Sequence, residues 1–245
     1  MHCVVRFPAQ WINASRFEWA LRNSCGPHDA NTFEITFEFP SGCKVMVDAA
    51  IRLLSLVNQL ASTTRRVQLN FEEGEAGTMG YLNRMGFFDH LADAVEVFPS
   101  RPFYSSAELH RGGNAALVEI ARINKDARDE ELPTRLTEAL MMSCHARPDA
   151  AELKGAAWTI FAELIDNIFS HSGTELDGYA ALQVYSLAAT DFPLRSRTVG
   201  SASWRRCVRR SAPNSRIWSA YRTRTFWWKC FDRVCRGMAA TAVAV

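Results

Sequence analysis

Three polar side chains spaced four residues apart carry the strongest chemical signal in the sequence. Glu163, Asn167 and His171 lie beside apolar residues that recur every three or four positions: Trp158, Phe161, Ala162, Ile165, Ile168 and Phe169. This periodicity predicts one helix over residues 156–172. In a helix, this spacing places a carboxylate, an amide oxygen and an imidazole above one another. Because Mg²⁺ prefers oxygen ligands, the three residues are candidates for a metal-nucleotide site.

The sequence around this helix predicts the elements that would position the three side chains. A polar loop over residues 173–177 is followed by an expected strand over 178–185. Residues 131–144 have leucine and methionine at helical spacing, and Asp149 is expected to cap the helix of Glu163. Residues 115–123 are apolar, and their pattern fits a strand or a helix. Helix, short loop and strand therefore follow one another around the candidate site.

The string E-L-I-D-N-I-F-S-H over residues 163–171 resembles the N-box of the GHKL ATPase superfamily, which includes gyrase, the heat-shock chaperone, sensor histidine kinases and anti-sigma-factor kinases. The His at the end of this string makes it most similar to the N-box of the kinase branches. The resemblance implies ATP and Mg²⁺ as cofactors. It implies Glu163 as general base or water-positioning carboxylate, Asn167 as a Mg²⁺ ligand and His171 near the phosphates. Whether the activity is that of a kinase or an ATPase stays open, as does an ordinary solvated helix face.

Residues 30–100 alternate between strand and helix patterns. Strands are expected over 32–39, 44–47, 66–70 and 94–98, and helices after Asp48 and over 77–91 with an interruption at Gly86. In the first strand, Phe33, Ile35, Phe37 and Phe39 are expected on one face. This order predicts a small α/β domain.

The strings V-Q-L-N-F from residue 67 and G-Y-L-N-R-M-G-F-F from residue 80 resemble STAS-like domains, which precede GHKL domains in some bacterial regulators. In signalling members of that family, a Ser or Thr at a strand–helix junction is phosphorylated. Thr78 is the hydroxyl at the corresponding junction here, where three neighbouring carboxylates would repel a phosphate. We therefore do not expect Thr78 to be a phosphorylation site.

The expected fold class is α/β, with a small STAS-like domain followed by an incomplete GHKL-type sandwich. We divide the chain into an N-terminal segment (1–30), the STAS-like α/β domain (31–105), the N-terminal part of a GHKL ATPase domain (106–185) and a basic tail (186–245). The family's D-x-G-x-G turn and glycine-rich lid, whose backbone N–H groups hold phosphates, do not occur after Tyr185. We expect this chain to bind ATP poorly.

The basic tail differs in composition from the rest of the chain. Residues 186–245 hold 12 Lys and Arg against two acidic residues, whereas the whole chain holds 28 against 26. In a reading frame displaced back by one base, each new codon takes its second and third bases from the first two bases of the next residue's codon. That frame permits F-P-V-A-I-S-D-S-G-L-G-I-V-E-T-L over 192–207 and G-G-D-R-G-R-G over 239–245. Both missing motifs are present in order, so we expect the tail to result from a reading-frame shift and to be poorly ordered.

Composition limits the remaining classes of protein. No run of about eighteen apolar residues and no secretory signal occur, so we expect a cytoplasmic protein without a membrane partner. The seven cysteines include no C-x-x-C pair, so we expect free thiols. Two alternatives remain: a non-enzymatic STAS-like module with a regulatory protein partner, and a nucleic-acid-binding protein that uses the Arg and Trp residues of the tail. The second is disfavoured because no recognition motif accompanies them.

Overall fold

A parallel sheet flanked by helices organises the first hundred residues, which confirms the expected α/β class. The computed structural model describes residues 1–63, 65–124, 126–144, 146–171, 177–185 and 239–244. The sheet contains β1 (His2–Arg6), β3 (Glu34–Phe39), β5 (Arg66–Phe71) and β6 (Glu96–Phe98), in that spatial order. Two further short strands, β2 (Trp11–Ile12) and β4 (Lys44–Val45), pair beside it.

The two faces of the parallel sheet differ in polarity because side chains alternate along each strand. Val5, Phe37, Leu69 and Val97 lie in register across it, and the first three are fully buried. The opposite face is polar, with Arg6 bonded to Glu38 at 2.6 Å and Arg66 to Glu96 at 2.8 Å. Phe33 does not join the apolar face as expected. It precedes β3 and is 62% exposed.

Phenylalanine rings fill the end of the core beneath the carboxyl ends of the strands. Phe7 stacks on Phe39 with ring centroids 4.9 Å apart, and Phe39 stacks on Phe71 at 4.6 Å. Phe71 in turn meets the edge of Phe88 at 6.2 Å. Aromatic pairs at such spacings add to the free energy gained from burial, so this row connects three strands to the segment after the third helix.

Four helices connect or follow these strands: α1 (Ala14–Arg22), α2 (Val47–Ala61), α3 (Thr78–Arg84) and α4 (Ser106–His110). A short 3-10 turn, Gly74–Ala76, precedes α3. The expected interruption at Gly86 is present, since α3 ends at Arg84 and Gly86 has φ of +77°. A residue with a Cβ would be strained in that conformation.

The expected cap at Asp48 is wrong, because the N-cap residue of α2 is Met46. Asp48 lies within the first turn, where one carboxylate oxygen accepts from the backbone N–H of Ala14 at 2.9 Å and the other from that of Ala49 at 2.8 Å. A carboxylate in the first turn also interacts favourably with the helix dipole. Asp48 therefore fastens the start of α1 to the start of α2.

The second half of the chain contains β7 (Leu117–Ile123), α5 (Leu132–Met141), α6 (Ala150–His171), β8 (Gly178–Tyr185) and β9 (Ala239–Ala244). The ambiguous apolar segment over 115–123 is thus a strand. Strand β8 lies between β7 and β9, and it runs antiparallel to β7. In the described part of the chain, no helix has both the length and the apolar character needed to cross a bilayer.

The two expected domains pack against each other, and Met1–Val184 belong to one compact unit. Ile120 and Tyr179 from the second half are buried in the same apolar cluster as the parallel sheet. The backbone N–H of Ile120 also donates to the Met85 carbonyl at 2.8 Å. The expected N-terminal segment, 1–30, supplies β1, β2 and α1, so it is part of the first sheet and its helical layer rather than a separate segment.

The expectation of free thiols is wrong for two cysteines. Cys3, on β1, and Cys25 form a disulfide, with Cα atoms 5.5 Å apart. Their separation of 22 residues gave no sequence signal, because β1 and the turn after α1 meet only in the folded chain. Cys43 is a buried thiol, and its burial raises its pKa to about 11.

Candidate functional site

One side of α6 packs into the protein and the other faces solvent. Its buried residues recur every four positions: Leu153, Ala157, Phe161 and Ile165. These positions pack the helix against α5 and β7. Trp158, expected in this stripe, is 46% exposed instead, and its indole N–H donates to the Thr134 hydroxyl at 3.2 Å. The apolar stripe is therefore narrower than the sequence predicted.

Glu163 and Asn167, the expected general base and magnesium ligand, are both exposed on α6. Phe161 and Ile165, which alternate with them along the helix, are only 3% and 4% exposed. Residues four apart on a helix have Cβ atoms about 5–6 Å from each other. This spacing places a carboxylate and an amide oxygen on the same exposed face of α6.

His171 is the last residue of α6, and only its backbone is described. Helix periodicity continues the line of Glu163 and Asn167 to this position. Of the polar loop expected over residues 173–177, residues 173–176 lie outside the described residues, and β8 starts at Gly178. The predicted order of helix, loop and strand is present for the parts that are described.

Arg128 lies beside the exposed face of α6, and the sequence analysis did not identify it. Its guanidinium is 3.4 Å from the Asp166 carboxylate and 5.3 Å from the centroid of the Phe169 ring. Asp166 and Phe169 are three residues apart, so Arg128 contacts one flank of the helix near Asn167. Arg128 belongs to the connection after β7, and this long-range contact has no signal in the local sequence.

Asp177 is the second residue that the sequence analysis missed. It precedes β8 and accepts from the Arg122 guanidinium and the Asn124 amide, each at 2.6 Å. Hydrogen bonding to Asp177 raises the pKa of Arg122. These contacts join the end of β7 to the start of β8. Asp177 thus fixes the start of the strand that follows α6 in the chain.

Asp149 precedes α6, as expected, but its side chain does not cap the helix in the expected way. Its carbonyl oxygen accepts from the Leu153 N–H at 2.9 Å, whereas its carboxylate receives two hydrogen bonds at 2.9 Å from Arg147. This bidentate pair lowers the pKa of Asp149. The backbone, rather than the carboxylate, starts the helix.

The exposed side chains of α6 include oxygen atoms of the kind that bind Mg²⁺. Within the described residues, no group of three or more His, Cys, Asp and Glu side chains could hold a metal ion. A magnesium ion bound to nucleotide phosphates needs only one or two protein oxygens, since phosphates and waters complete its coordination. The amide oxygen of Asn167 fits that role.

Thr78, the rejected phosphorylation candidate, is 7% exposed. Its hydroxyl donates to the carbonyl oxygen of Cys43 at 2.6 Å. This buried hydroxyl already has a partner at the junction of α3 and β4. Its position agrees with the expectation that Thr78 is not a phosphorylation site.

The motif that the displaced frame permits at 192–207 and most of the basic tail lie outside the described residues. Residues 239–244, where the same frame permits the glycine-rich lid, form strand β9. In the comparisons with known proteins, no protein-family model, curated protein or solved structure matches this chain.

Proposed function

We propose that α6, β7 and β8 form the magnesium-nucleotide part of a GHKL-type ATP-binding domain in a regulatory protein. Asn167 binds Mg²⁺ through its side-chain oxygen. Glu163 orients or deprotonates the nucleophile, and His171 lies near the phosphates. When bound, Mg²⁺ supplies positive charge that neutralises the phosphate oxygens.

The observation that carries this proposal is the shared exposure of Glu163 and Asn167 on a helix whose opposite side is buried. A general base must reach the proton that it removes, and a ligand oxygen must reach its ion. Side chains buried beneath the first sheet could do neither. The strand β8 that follows α6 in the chain also supports the proposal, because helix, short loop and strand is the order that the GHKL resemblance implies.

The chain as printed lacks the glycine-rich segments that would hold the nucleotide. Backbone N–H groups of such segments bind phosphates, so we expect weak ATP binding by this chain and stronger binding once the displaced frame is restored. We also propose a cytoplasmic location and a protein partner. The Cys3–Cys25 disulfide is uncommon in that compartment, and the redox state of this pair in cells tests the location.

The proposed function is tested by titrating ATP into the frame-restored chain by calorimetry, with and without Mg²⁺. Asn167→Ala should weaken Mg²⁺-dependent binding at least about tenfold, a loss of about 1.4 kcal/mol. Glu163→Gln should leave ATP binding within a few fold but lower phosphoryl transfer or hydrolysis by a factor of about 10²–10⁴.

Asp166→Asn is the matched control, because Asp166 is also exposed on α6 but contacts Arg128. It should change neither binding nor turnover by more than a few fold. Tight ATP binding that is indifferent to Asn167, or no binding by the frame-restored chain, would contradict the proposed function.

A further inference from the structure

Two exposed tryptophans and three exposed cations lie together around β2 and α1. Trp11 is 53% exposed and Trp19 60% exposed. Arg16, Arg22 and Lys44 are exposed as well. Tryptophan is highly buried on average in folded proteins, so two open indole rings among cations are unusual. We name Trp11, Arg16, Trp19, Arg22 and Lys44 the tryptophan patch.

Direct contacts join two cations of the tryptophan patch to Trp11. The Lys44 ammonium lies 5.4 Å from the centroid of the Trp11 ring, and the Arg16 guanidinium donates to the Trp11 carbonyl oxygen at 2.5 Å. Arg16, Trp19 and Arg22 follow at three-residue spacing along α1, so they share one face of that helix. Contacts thus connect β4, β2 and the first turn of α1, and helix spacing extends the patch to Trp19 and Arg22.

The nearby acidic side chains already have partners. Glu18 accepts from Arg52 at 3.0 Å. Asp48 accepts from the backbone N–H groups of Ala14 and Ala49. The three cations of the patch thus keep their positive charge available to an anionic partner.

The patch lacks the apolar surface that a membrane-binding helix requires. An interfacial helix buries its apolar face among lipid chains, but the apolar side of α1 is already in the protein core. Phe17 is 3% exposed and stacks on Phe7 at 5.8 Å, and Ala20 is 4% exposed. Only two indole rings and the surrounding cations remain for a partner.

We propose that the tryptophan patch binds single-stranded nucleic acid. Indole rings stack on unpaired bases of any sequence, and arginine and lysine neutralise the phosphates between them. Trp11 and Trp19 supply the stacking surfaces, and Arg16, Arg22 and Lys44 supply the charge. Its residues differ from those of the proposed nucleotide site on α6 and from those of the basic tail.

The test is fluorescence anisotropy of a labelled oligothymidine titrated with the full chain. Trp11→Ala and Trp19→Ala should each weaken binding at least about fivefold, given the stacking energy of a base on an aromatic ring. Trp158→Ala is the matched control, because Trp158 is 46% exposed but lies on α6. The control should bind within about twofold of the unchanged chain, well below the loss expected from a stacked base.

A second variant tests the charges and does not depend on removing an aromatic ring. Arg22→Gln combined with Lys44→Gln should reduce the slope of log affinity against log salt by about 1.4, because each phosphate contact on a single strand contributes about 0.7. Arg135→Gln combined with Arg147→Gln removes two cations elsewhere and should leave the slope unchanged. Circular dichroism checks that each variant is folded. If a tryptophan variant does not fold, the salt dependence of the charge variant tests the proposal instead.

Several outcomes would overturn the proposal. One is oligothymidine binding that is unaffected by Trp11→Ala, Trp19→Ala and the charge variant, because the basic tail would then be the binding segment. Another is a loss of affinity in Trp158→Ala, or a loss of salt dependence in Arg135→Gln combined with Arg147→Gln, as large as in the patch variants. A third is no oligothymidine binding together with tryptophan-dependent binding to phosphatidylserine–phosphatidylcholine vesicles or to a proline-rich peptide.

Discussion

At the scale of single residues, Asn58 joins the two halves of the described unit. Its amide nitrogen donates to the His90 carbonyl and to the Tyr179 hydroxyl, each at 2.9 Å, and its amide oxygen accepts from the Ala92 N–H at 2.9 Å. These partners come from the segment after α3 and from β8. One side chain on α2 thus satisfies polar groups from both halves.

Replacing Asn58 with Ala should lower the free energy of unfolding by about 2–3 kcal/mol, because it leaves partly buried polar groups without partners. Urea denaturation followed by circular dichroism measures this change. Asn23→Ala is the control, since Asn23 is exposed and its side chain bonds only within α1. It should cost about 0.5 kcal/mol or less. Equal effects of the two variants would show that the hydrogen bonds of Asn58 contribute little to the free energy of unfolding.

His90 predicts how stability depends on pH. Burial lowers its pKa, although the hydrogen bond from its ring to the Ile120 carbonyl at 2.9 Å acts in the opposite direction. An unfolded histidine has a pKa of about 6.5, so below that pH the unfolded chain binds more protons at this residue. The contribution of His90 is complete above about pH 6.5 and is lost as the pH falls toward the lowered folded pKa.

His90→Gln should therefore weaken the loss of stability between about pH 7.5 and 5.5, where a histidine contributes at most about 1.4 kcal/mol per pH unit. Urea denaturation at both values measures it. His28→Gln, at an exposed position, controls for the removal of a histidine. If both variants keep the pH dependence of the unchanged chain, His90 is not its source.

At the scale of elements, α6 should tolerate changes on its exposed side and not on its buried side. Ile165→Ala should lower the free energy of unfolding by about 2–4 kcal/mol through a cavity between α6 and its neighbours. Glu163→Ala should change it by about 0.5 kcal/mol or less. Thermal or urea denaturation compares the two. A large loss on replacing Glu163 would indicate that its carboxylate is structural and would weaken its proposed role.

The local pattern predicted most elements because their burial follows a simple period. Alternation found β3 and β5, and helical spacing found α2, α5 and α6. The wrong predictions concern side chains whose hydrogen-bond partners belong to an element distant in the sequence. Asp48 accepts from Ala14 at the start of α1 as well as from Ala49 of its own helix, and Trp158 bonds to Thr134 rather than entering the core. Such contacts have no fixed spacing in the sequence.

The candidate site shows the same limit. Glu163 and Asn167 could be found because four-residue spacing makes them neighbours on one helix. Arg128 and Asp177 could not be found, because they approach α6 and β7 only when the strands pair. The sequence thus predicts groups on one element and misses the groups that other elements bring to it.

At the scale of the whole molecule, residues 1–30 belong to the first sheet and its helical layer, and the second half packs against the same apolar core. Limited proteolysis should therefore release a protected fragment that contains both β1 and β8, because Val5 and Tyr179 are buried in one apolar cluster. Mass spectrometry identifies the fragment ends. A stable fragment limited to residues 30–100 would contradict this description and would favour the separate domain expected from the sequence.

The reading-frame hypothesis is a prediction about the gene. Sequencing across codons 186–192 should reveal a base gained or lost relative to the frame that encodes the two glycine motifs. If those bases are confirmed and the displaced frame meets an early stop codon, the basic tail is native. Its Arg and Trp residues would then need another explanation.

The most direct test of the nucleotide site is paramagnetic mapping of the frame-restored chain with Mn²⁺ and ATP. Mn²⁺ takes the oxygen ligands that Mg²⁺ takes, and it broadens NMR signals from nearby nuclei. We predict ATP-dependent broadening of the backbone amide signals of Glu163 and Asn167. In Asn167→Ala, the broadening at residues 163 and 167 should be lost. Broadening confined to other elements, or none at saturating ATP, would contradict the assignment of α6 as the site.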